Sequence, residues 1–440
     1  MSPRTTTLLY SPDLDGHRQV YCERVARVLL ERGHHVCLAA AFRAADGSPF
    51  LDDFANLLKE PCVSRVDVSC FPSRGTGIDA VQLAGLVART GAQVTVLLEA
   101  DDLLQALCGQ IGHRGTRLPG RRVGLFIRST NYQYPQGPQP LRRRLGWLRR
   151  LPAEWSVWPR LFHEYLLPRY ALLDAALCLD EYFVAGHRRS HRWMPDMYET
   201  SRQACGPQGA AGAGSSRLRG PDLSSLDAFV GAHAAREIFV YFGTASARRG
   251  YDILLRLAER RGACFVHCGR RNDADVYAWN VARLRSGLER RRDLFETDAF
   301  VARFEGVGSV LAVAPAIVLP YRHHLGSSGV MLQTLAAGRP VLVPDVGLVA
   351  RRVCNHRLGA VYDPSDDEDL DRRVDNMWAR LPGESASSIR TFLSYFSPSQ
   401  VEAAIVAAVE GAPMSRGRPS GAVSPAHLTA SSPTEAAVAE

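Results

Sequence analysis

The stretch Pro320–Gly347, PYRHHLGSSGVMLQTLAAGRPVLVPDVG, decides the fold of this chain. An apolar strand, Ala316–Leu319, precedes it, and a small polar loop then opens a helix over Gly329–Ala337. Gly338 is a suitable C-cap for that helix, and a second strand follows over Val341–Val343. The order of strand, helix and strand predicts a parallel β-α-β unit.

The loop of this unit is suited to binding an anion. The first N–H groups of a helix have no partner inside the helix, and glycine allows a close approach of the backbone. Serine hydroxyls add donors, and the residue one turn into the helix is placed to reach a ribose hydroxyl. A plain crossover with a tight turn is the alternative, and the two histidines before the loop are either ligand contacts or solvated. The candidate residues are His323, His324, Gly326, Ser327, Ser328, Gly329 and Gln333.

A second unit of this kind lies over Tyr241–Arg260, YFGTASARRGYDILLRLAER. Its loop places Arg248 and Arg249 directly before the helix Gly250–Arg260. The dipole at a helix N-terminus disfavours cations, so this placement favours a function over a solvated arginine pair, which is the alternative. A guanidinium keeps its charge and can offer two parallel hydrogen bonds to an anion.

A third unit lies near the N-terminus over Tyr10–Val36, YSPDLDGHRQVYCERVARVLLERGHHV. Gly16 would let the backbone approach a ligand, and His17 is a candidate polar residue of the same loop. Asp15 is as well suited to capping the helix as to any role in a site.

Strands and helices alternate through both halves of the chain. Apolar runs such as Thr6–Tyr10 and His35–Ala40 alternate with amphipathic segments, and the rhythm restarts at Glu237–Phe242. We therefore predict an α/β protein with two Rossmann-like, doubly wound domains that face a central cleft. The predicted boundaries are an N-terminal domain over 1–198, a linker with a flexible loop over 199–235, a C-terminal domain over 236–395, a helix over 396–411 and a disordered tail over 412–440.

Polar residues after other strands are weaker candidates. Arg128 follows the strand Val123–Ile127 and is expected at a carboxyl edge of the sheet, where it either faces the cleft or is solvated. Glu99 and Asp101 also follow a strand, and they either orient substrate hydroxyls or cap the next helix. Asp196 is assigned to a turn between the domains.

The composition fits a globular protein of two domains. The chain has 440 residues, of which 46% are hydrophobic and 22% charged. Its formal charge is +8, and Lys59 is the only lysine, so arginine supplies the excess. The excess indicates either a solvated surface or attraction to phosphates. No nucleic-acid-binding motif is present in the sequence.

The cysteines and the apolar runs bear on the cellular compartment. The ten cysteines form no C-x-x-C pair, so we expect reduced thiols rather than disulfides or a zinc site. No signal-peptide pattern and no apolar run of about 18 residues is present, which predicts a cytoplasmic protein.

These segments together resemble the glycosyltransferases of family 4, which have the GT-B fold. TLAAGRPVLVPDVG matches the second half of their nucleotide-binding signature, and GSSG replaces the usual loop, as in a subset of bacterial members. The two glutamates of the signature fall on Leu325 and Gln333; glutamine can hold a ribose, whereas leucine cannot contact the donor sugar. Arg249 occupies the position of the family's Lys. The family's Arg position is occupied by Thr244, and Arg248 is the candidate that replaces this missing cation.

The resemblance implies transfer of a sugar from a nucleoside diphosphate sugar to an acceptor hydroxyl or amine. It further implies retention of configuration, a role in natural-product or cell-surface glycan biosynthesis, and no metal or other cofactor, because cations and helix amides replace a divalent ion. The predicted catalytic residues are Arg249, His17 and Arg128, and the other candidates bind the donor. The alternatives are a sugar-nucleotide-binding protein without transferase activity and a nucleotide-sugar epimerase.

The segment Leu141–Trp155, LRRRLGWLRRLPAEW, interleaves arginines with apolar residues. It suits either peripheral contact with an anionic membrane or a surface loop packed on the N-terminal domain. Gly146 and Pro152 interrupt any helix there, and we therefore expect a mainly soluble enzyme.

Overall fold

The structure is a computed structural model. It describes residues 4–12, 14, 17–42, 52–69, 78–111, 118–133, 157–197, 224–269, 278–297, 310–311, 313–322, 324–379 and 383–411.

A sheet of seven parallel strands forms the centre of the N-terminal domain. The strands are β1 (Thr6–Tyr10), β2 (His35–Ala40), β3 (Val63–Asp67), β4 (Val94–Leu97), β5 (Arg121–Phe126), β6 (Ala175–Cys178) and β7 (His191–Trp193). Their order in the sheet is β3-β2-β1-β4-β5-β6-β7, and Leu8 of β1 pairs with Cys37 of β2 and Thr95 of β4. The order reverses between β1 and β4, which opens a crevice at the carboxyl ends of these two strands.

Helices cover both faces of this sheet. They are α1 (His17–Glu31), α2 (Asp52–Leu57), α3 (Ala80–Thr90), α4 (Leu104–Gly109), α5 (Val157–Leu161), α6 (Leu167–Tyr170) and α7 (Glu181–Gly186). A π-helical turn, Phe162–Leu166, joins α5 to α6. Side chains alternate along β1, so Leu9 packs in one core and Leu8 and Tyr10 pack in the other.

The C-terminal domain is built in the same way. Its strands are β8 (Ile238–Phe242), β9 (Cys264–Cys268), β10 (Leu294–Thr297), β11 (Ile317–Val318), β12 (Val341–Pro344) and β13 (Gly359–Tyr362). They pair in parallel as β10-β9-β8 and β11-β12-β13, and β11 lies alongside β8. The order therefore reverses between β8 and β11, which places a second crevice at the carboxyl ends of these strands.

The helices of this domain are α8 (Ser224–Ala232), α9 (Tyr251–Arg261), α10 (Ala278–Arg290), α11 (Gly329–Ala336), α12 (Gly347–His356), α13 (Asp367–Ala379) and α14 (Gly383–Ser394). Two cores again lie on opposite faces of the sheet: Val240 belongs to one, and Phe239 and Tyr241 belong to the other.

The last helix, α15 (Pro398–Glu410), packs on the N-terminal domain although it follows the C-terminal one. Ser397 caps it by accepting from the Gln400 N–H, with Pro398 at the first position, as the sequence predicts. Ala404 and Ile405 are buried in the core beside α1, and Arg121 Nε donates to the Ala408 carbonyl at 2.6 Å. The chain thus crosses between the domains twice.

Two doubly wound domains are present, as the sequence predicts. The edge strand His191–Trp193 is not among the predicted elements. Asp367 begins α13, and Asp366 accepts from the N–H groups of Glu368 and Asp369. The described cysteines are free thiols, as expected.

Candidate active site in the interdomain cleft

The loops after β8 and β11 flank the reversal of strand order in the C-terminal domain. The loop after β8 leads into the 3₁₀ turn Ala247–Arg249, and the loop after β11 leads through Pro320 to Gly326–Gly329 at the start of α11. Carboxyl ends of parallel strands at such a reversal are where open α/β sheets bind ligands. Both motifs predicted from the sequence therefore lie at one edge.

Arg248 and Arg249 carry charge that no acid among the described residues neutralises. Within the described ranges, neither arginine forms an ion pair with a carboxylate. Arg248 is exposed and Arg249 is half-buried, with its guanidinium against Gly243. The field of both arginines reaches the ring of His324, on the other loop. The two loops thus form one electropositive corner.

His324 is held as a neutral imidazole within this corner. Burial first, and then the charges of the two nearby arginines, lower its pKa to about 4. Its Nε2 lies 2.9 Å from the Ser327 carbonyl oxygen, and its ring packs on Tyr321 with a centroid distance of 4.7 Å. His324 therefore shapes the loop and adds no charge near neutral pH.

The two serine hydroxyls of the Gly326–Gly329 loop are both used within the protein. Ser328 caps α11 by accepting from the Met331 N–H at 3.1 Å, and its oxygen lies 2.7 Å from the Tyr321 hydroxyl. Ser327 donates to Asp196 at 2.5 Å and accepts from Arg352 at 2.7 Å. What the loop offers a ligand is therefore the helix N-terminus at the exposed Gly329.

Gln333 and Leu325 occupy the two signature positions. Gln333 is half-buried, one turn into α11. Leu325 is buried at 6% exposure, and its carbonyl accepts from the Leu348 N–H at 2.8 Å. Leu325 is thus part of the packing between loop and α12, where the resemblance would place a sugar-binding glutamate.

The N-terminal domain faces this loop through the segment after β5. A Cβ added at Gly326 would lie 3.0 Å from the Asn131 amide nitrogen and 3.5 Å from the Ile127 carbonyl oxygen. Arg128, in the same segment, donates to Asp102 at 2.6 Å. The two carboxyl edges therefore meet across a cleft, with Arg128 on its N-terminal side.

Acidic residues fix this face of the cleft. Asp101 accepts from the N–H groups of Ile127, Arg128 and Ser129 at 2.6 to 3.1 Å, so its carboxylate holds the loop. Glu99 is buried, pairs with Arg18 of α1, and adopts a left-handed backbone with φ of 52°. Such strain in a residue other than glycine is found mostly at functional sites.

A buried network between the domains was not predicted from the sequence. Arg352, fully buried in α12, donates to Glu181 at 2.9 and 2.7 Å and to the Leu179 carbonyl at 2.8 Å. Asp196 accepts from Tyr21 of α1 as well as from Ser327. The network ties the loop before α11 to the N-terminal domain. The pattern of polar and apolar residues in the sequence does not indicate this network, because it assigns an arginine to the protein surface.

One group of side chains has the spacing of metal ligands. The ligand atoms of His233, Cys264 and Asp293 lie within 4.8 Å of one another. However, Asp293 already accepts from Arg236 and from Arg291, the latter at 2.9 Å. Two guanidinium groups beside the carboxylate oppose a cation there, and Cys264 lies at the start of β9, away from the cleft.

Several predicted positions lie outside the described residues. They are Asp15, Gly16, the side chain of His17, His323, the flexible loop Gln203–Ser216, the segment Leu141–Trp155 and the tail over 412–440. Among the helices that are described, none has the length and apolar character needed to span a membrane.

The two domains, the two reversals of strand order and the cleft define the GT-B fold. Neither a family model nor the sequence of a curated protein matches the chain. Solved structures do: HepE of Anabaena, in complex with UDP and glucose, is similar over 93% of this chain and 100% of that chain, with a TM-score of 0.58 and 14% identity.

Two further structures agree. Sucrose-phosphate synthase from Thermosynechococcus elongatus matches 91% of this chain and 95% of its own, with a TM-score of 0.55 and 13% identity. A glycosyltransferase from Rickettsia africae matches 91% of this chain and 96% of its own, with a TM-score of 0.53 and 9% identity. At these identities the likeness establishes the fold.

Proposed function

We propose that this protein is a glycosyltransferase that takes a sugar from a nucleoside diphosphate sugar and passes it to an acceptor hydroxyl or amine. The observation that carries the proposal is the pair of arginines at Arg248 and Arg249, without a carboxylate partner among the described residues, beside the N-terminus of α11 at the reversal of strand order. Both features favour an anion in the same place.

The positive charge of this corner favours binding of a diphosphate over binding of a neutral ligand. When the bond between sugar and diphosphate breaks, negative charge grows on the leaving group, and preorganised cations and helix amides stabilise it. On this account Arg249 and Arg248 neutralise the phosphates and the Gly326–Gly329 loop supplies backbone donors. With these cations and backbone donors the reaction needs no metal ion. We further propose that the transferred sugar is a hexose.

The remaining roles rest on the resemblance to family 4 and on the position of Arg128 after β5. Gln333 holds the ribose, His17 binds a phosphate or an acceptor hydroxyl, and Arg128 acts from the N-terminal side of the cleft. Retention of configuration and a place in natural-product or cell-surface glycan synthesis belong to the same proposal. HepE, solved with UDP and glucose, and other neighbours named as glycosyltransferases support it.

The test measures release of nucleoside diphosphate from a panel of UDP-, GDP-, ADP- and dTDP-sugars, with and without mixed sugar acceptors. At least one donor should be consumed, and Arg249→Gln should lower that rate about 10²-fold or more. Arg260→Gln is the matched control, because Arg260 lies at the far end of α9, where it pairs with Asp371 of α13. A rate unchanged by Arg249→Gln under saturating donor would remove Arg249 from catalysis.

A second candidate is a sugar-nucleotide-binding protein without transferase activity. Buried Leu325, in place of a sugar-binding glutamate, favours it. Tight binding of a nucleotide sugar without any turnover, across the donor and acceptor panel, would select this function. An epimerase would instead convert one nucleotide sugar to another without an acceptor.

A further inference from the structure

Asp252 and Arg322 form a two-pronged ion pair directly behind the Arg248–Arg249 turn. Arg322 Nη1 donates to Asp252 Oδ1 at 2.7 Å, and Nη2 donates to Oδ2 at 2.8 Å. Asp252 is only 5% exposed, in the first turn of α9. Parallel charge-assisted hydrogen bonds of this kind fix geometry as well as adding stability.

The pair connects the loop after β8 to the loop after β11. The Arg322 N–H also donates to the Arg248 carbonyl at 2.8 Å, so backbone and side chain of one residue hold the turn. Gly250, at the end of the turn, has φ of +71°, and a Cβ there would lie 1.8 Å from the Pro320 carbonyl oxygen. Only glycine permits this approach.

The neighbouring residue holds the other half of the corner. The Tyr321 hydroxyl lies 2.7 Å from Ser328 Oγ, the cap of α11. The consecutive residues Tyr321 and Arg322 therefore fix the helix N-terminus and the arginine turn, respectively. A shift of either residue changes the distance between the two anion-binding features.

Asp252 also offsets part of the positive charge in these two loops. Three arginines, Arg248, Arg249 and Arg322, lie in these two loops, and of these three Asp252 pairs with Arg322. Without the Asp252 carboxylate, the charge of the Arg322 guanidinium would repel Arg248 and Arg249 and increase the distance between the two loops.

We propose that Asp252 and Arg322 are positioning residues, which set the spacing between the Arg248–Arg249 turn and the N-terminus of α11 so that one diphosphate contacts both. The inference rests on the proposed function, because it assigns to the pair a task at that site. On this proposal neither side chain binds the ligand; both act by holding the turn that carries Arg249.

A double-mutant cycle tests this dependence. Asp252→Asn and Arg322→Lys, each alone, are combined with Arg249→Gln, and the Kd of a nucleoside diphosphate is measured by calorimetry. Each single change should weaken binding by roughly 10-fold with wild-type Arg249 and by less than about 2-fold with Arg249→Gln, because coupled residues are not additive. Arg322→Lys keeps the charge and removes only the two-pronged geometry.

Arg256→Gln is the control, since Arg256 pairs with the same Asp252 at 3.2 Å from the exposed side and should leave binding unchanged. Thermal unfolding of every variant identifies losses that come from folding. Equal losses in both Arg249 backgrounds would overturn the positioning role. If the single variant Arg249→Gln binds the nucleoside diphosphate as tightly as the wild type, the proposed function is overturned instead.

Discussion

Gln333 tests the nucleotide site at the scale of one residue. It is half-buried on the first turns of α11, next to the loop that faces the cleft. If its amide holds a ribose hydroxyl, Gln333→Ala should weaken donor binding about 10-fold, the scale of one lost hydrogen bond, without loss of fold. Gln333→Glu should retain binding, because a carboxylate accepts the same hydroxyl. Donor affinity equal to wild type in Gln333→Ala, measured by calorimetry, would remove this residue from the site.

Single residues show what the sequence could and could not reveal. Arg248 and Arg249 were identifiable because cations at a helix N-terminus are unfavourable without a ligand. The hydroxyls of Ser327 and Ser328 were predicted to bind the donor, but the structure pairs them with Asp196, Arg352, Tyr321 and the Met331 N–H. Spacing along the chain does not reveal the partners of Ser327, because Asp196 and Arg352 come from distant segments.

A chain of buried imidazoles in the N-terminal domain gives a prediction at the scale of elements. Ser129 Oγ lies 2.7 Å from His163 Nε2 in the π-helical turn, and His163 Nδ1 lies 2.9 Å from His191 Nε2 in β7. Burial is the first cause that lowers the pKa of His191 to about 3 and that of His163 well below its usual value. Both are neutral in the folded protein near pH 7.

The free energy of unfolding should therefore decrease on acidification. The unfolded chain takes up protons below pH about 6.5 and the folded chain does not, so this stability is complete above that pH and is lost as the pH falls from 6.5 toward 3. The slope is up to about 1.4 kcal/mol per pH unit for each histidine. In urea unfolding from pH 7.5 to 5, His191→Gln should show a shallower decrease. Parallel curves for variant and wild type would contradict the account.

Elements were predictable where the pattern is long and regular. The strands Thr6–Tyr10 and His35–Ala40 match the predicted bounds, because each is an apolar run between turn residues. His191–Trp193 was missed because a three-residue edge strand with two basic side chains has no apolar pattern. The π-helical turn was missed because it keeps the helical spacing around it.

The connection between the domains gives a prediction at the scale of the whole molecule. Arg352 is fully buried between Glu181, the Leu179 carbonyl and Ser327. Arg352→Met would leave the Glu181 carboxylate without its partner, and we expect a loss of about 3–5 kcal/mol in the free energy of unfolding. The neighbour Arg351 lies 4.3 Å over the Tyr182 ring, and Arg351→Ala should cost only about 1 kcal/mol.

Chemical denaturation compares the two variants directly. Arg352→Met should also lower donor turnover, because Ser327 loses the bond that holds its loop to the N-terminal domain. Equal stability losses in Arg352→Met and Arg351→Ala would show that the buried network does not hold the domains together.

The architecture followed from the sequence because two β-α-β rhythms with separate anion-binding loops predict two doubly wound domains. The path of α15 back to the N-terminal domain did not follow, since an amphipathic helix does not specify which core it covers.

Calorimetric titration of the protein with UDP, GDP, ADP and dTDP, each beside its parent nucleoside, tests directly whether the site binds a diphosphate. We expect at least one diphosphate to bind with a Kd between about 1 μM and 1 mM, and its nucleoside to bind at least about 10²-fold more weakly. Arg249→Gln should remove most of this difference, whereas Arg260→Gln should preserve it. Absence of binding by every diphosphate, or equal binding of diphosphate and nucleoside, would contradict a site built around Arg248, Arg249 and the N-terminus of α11.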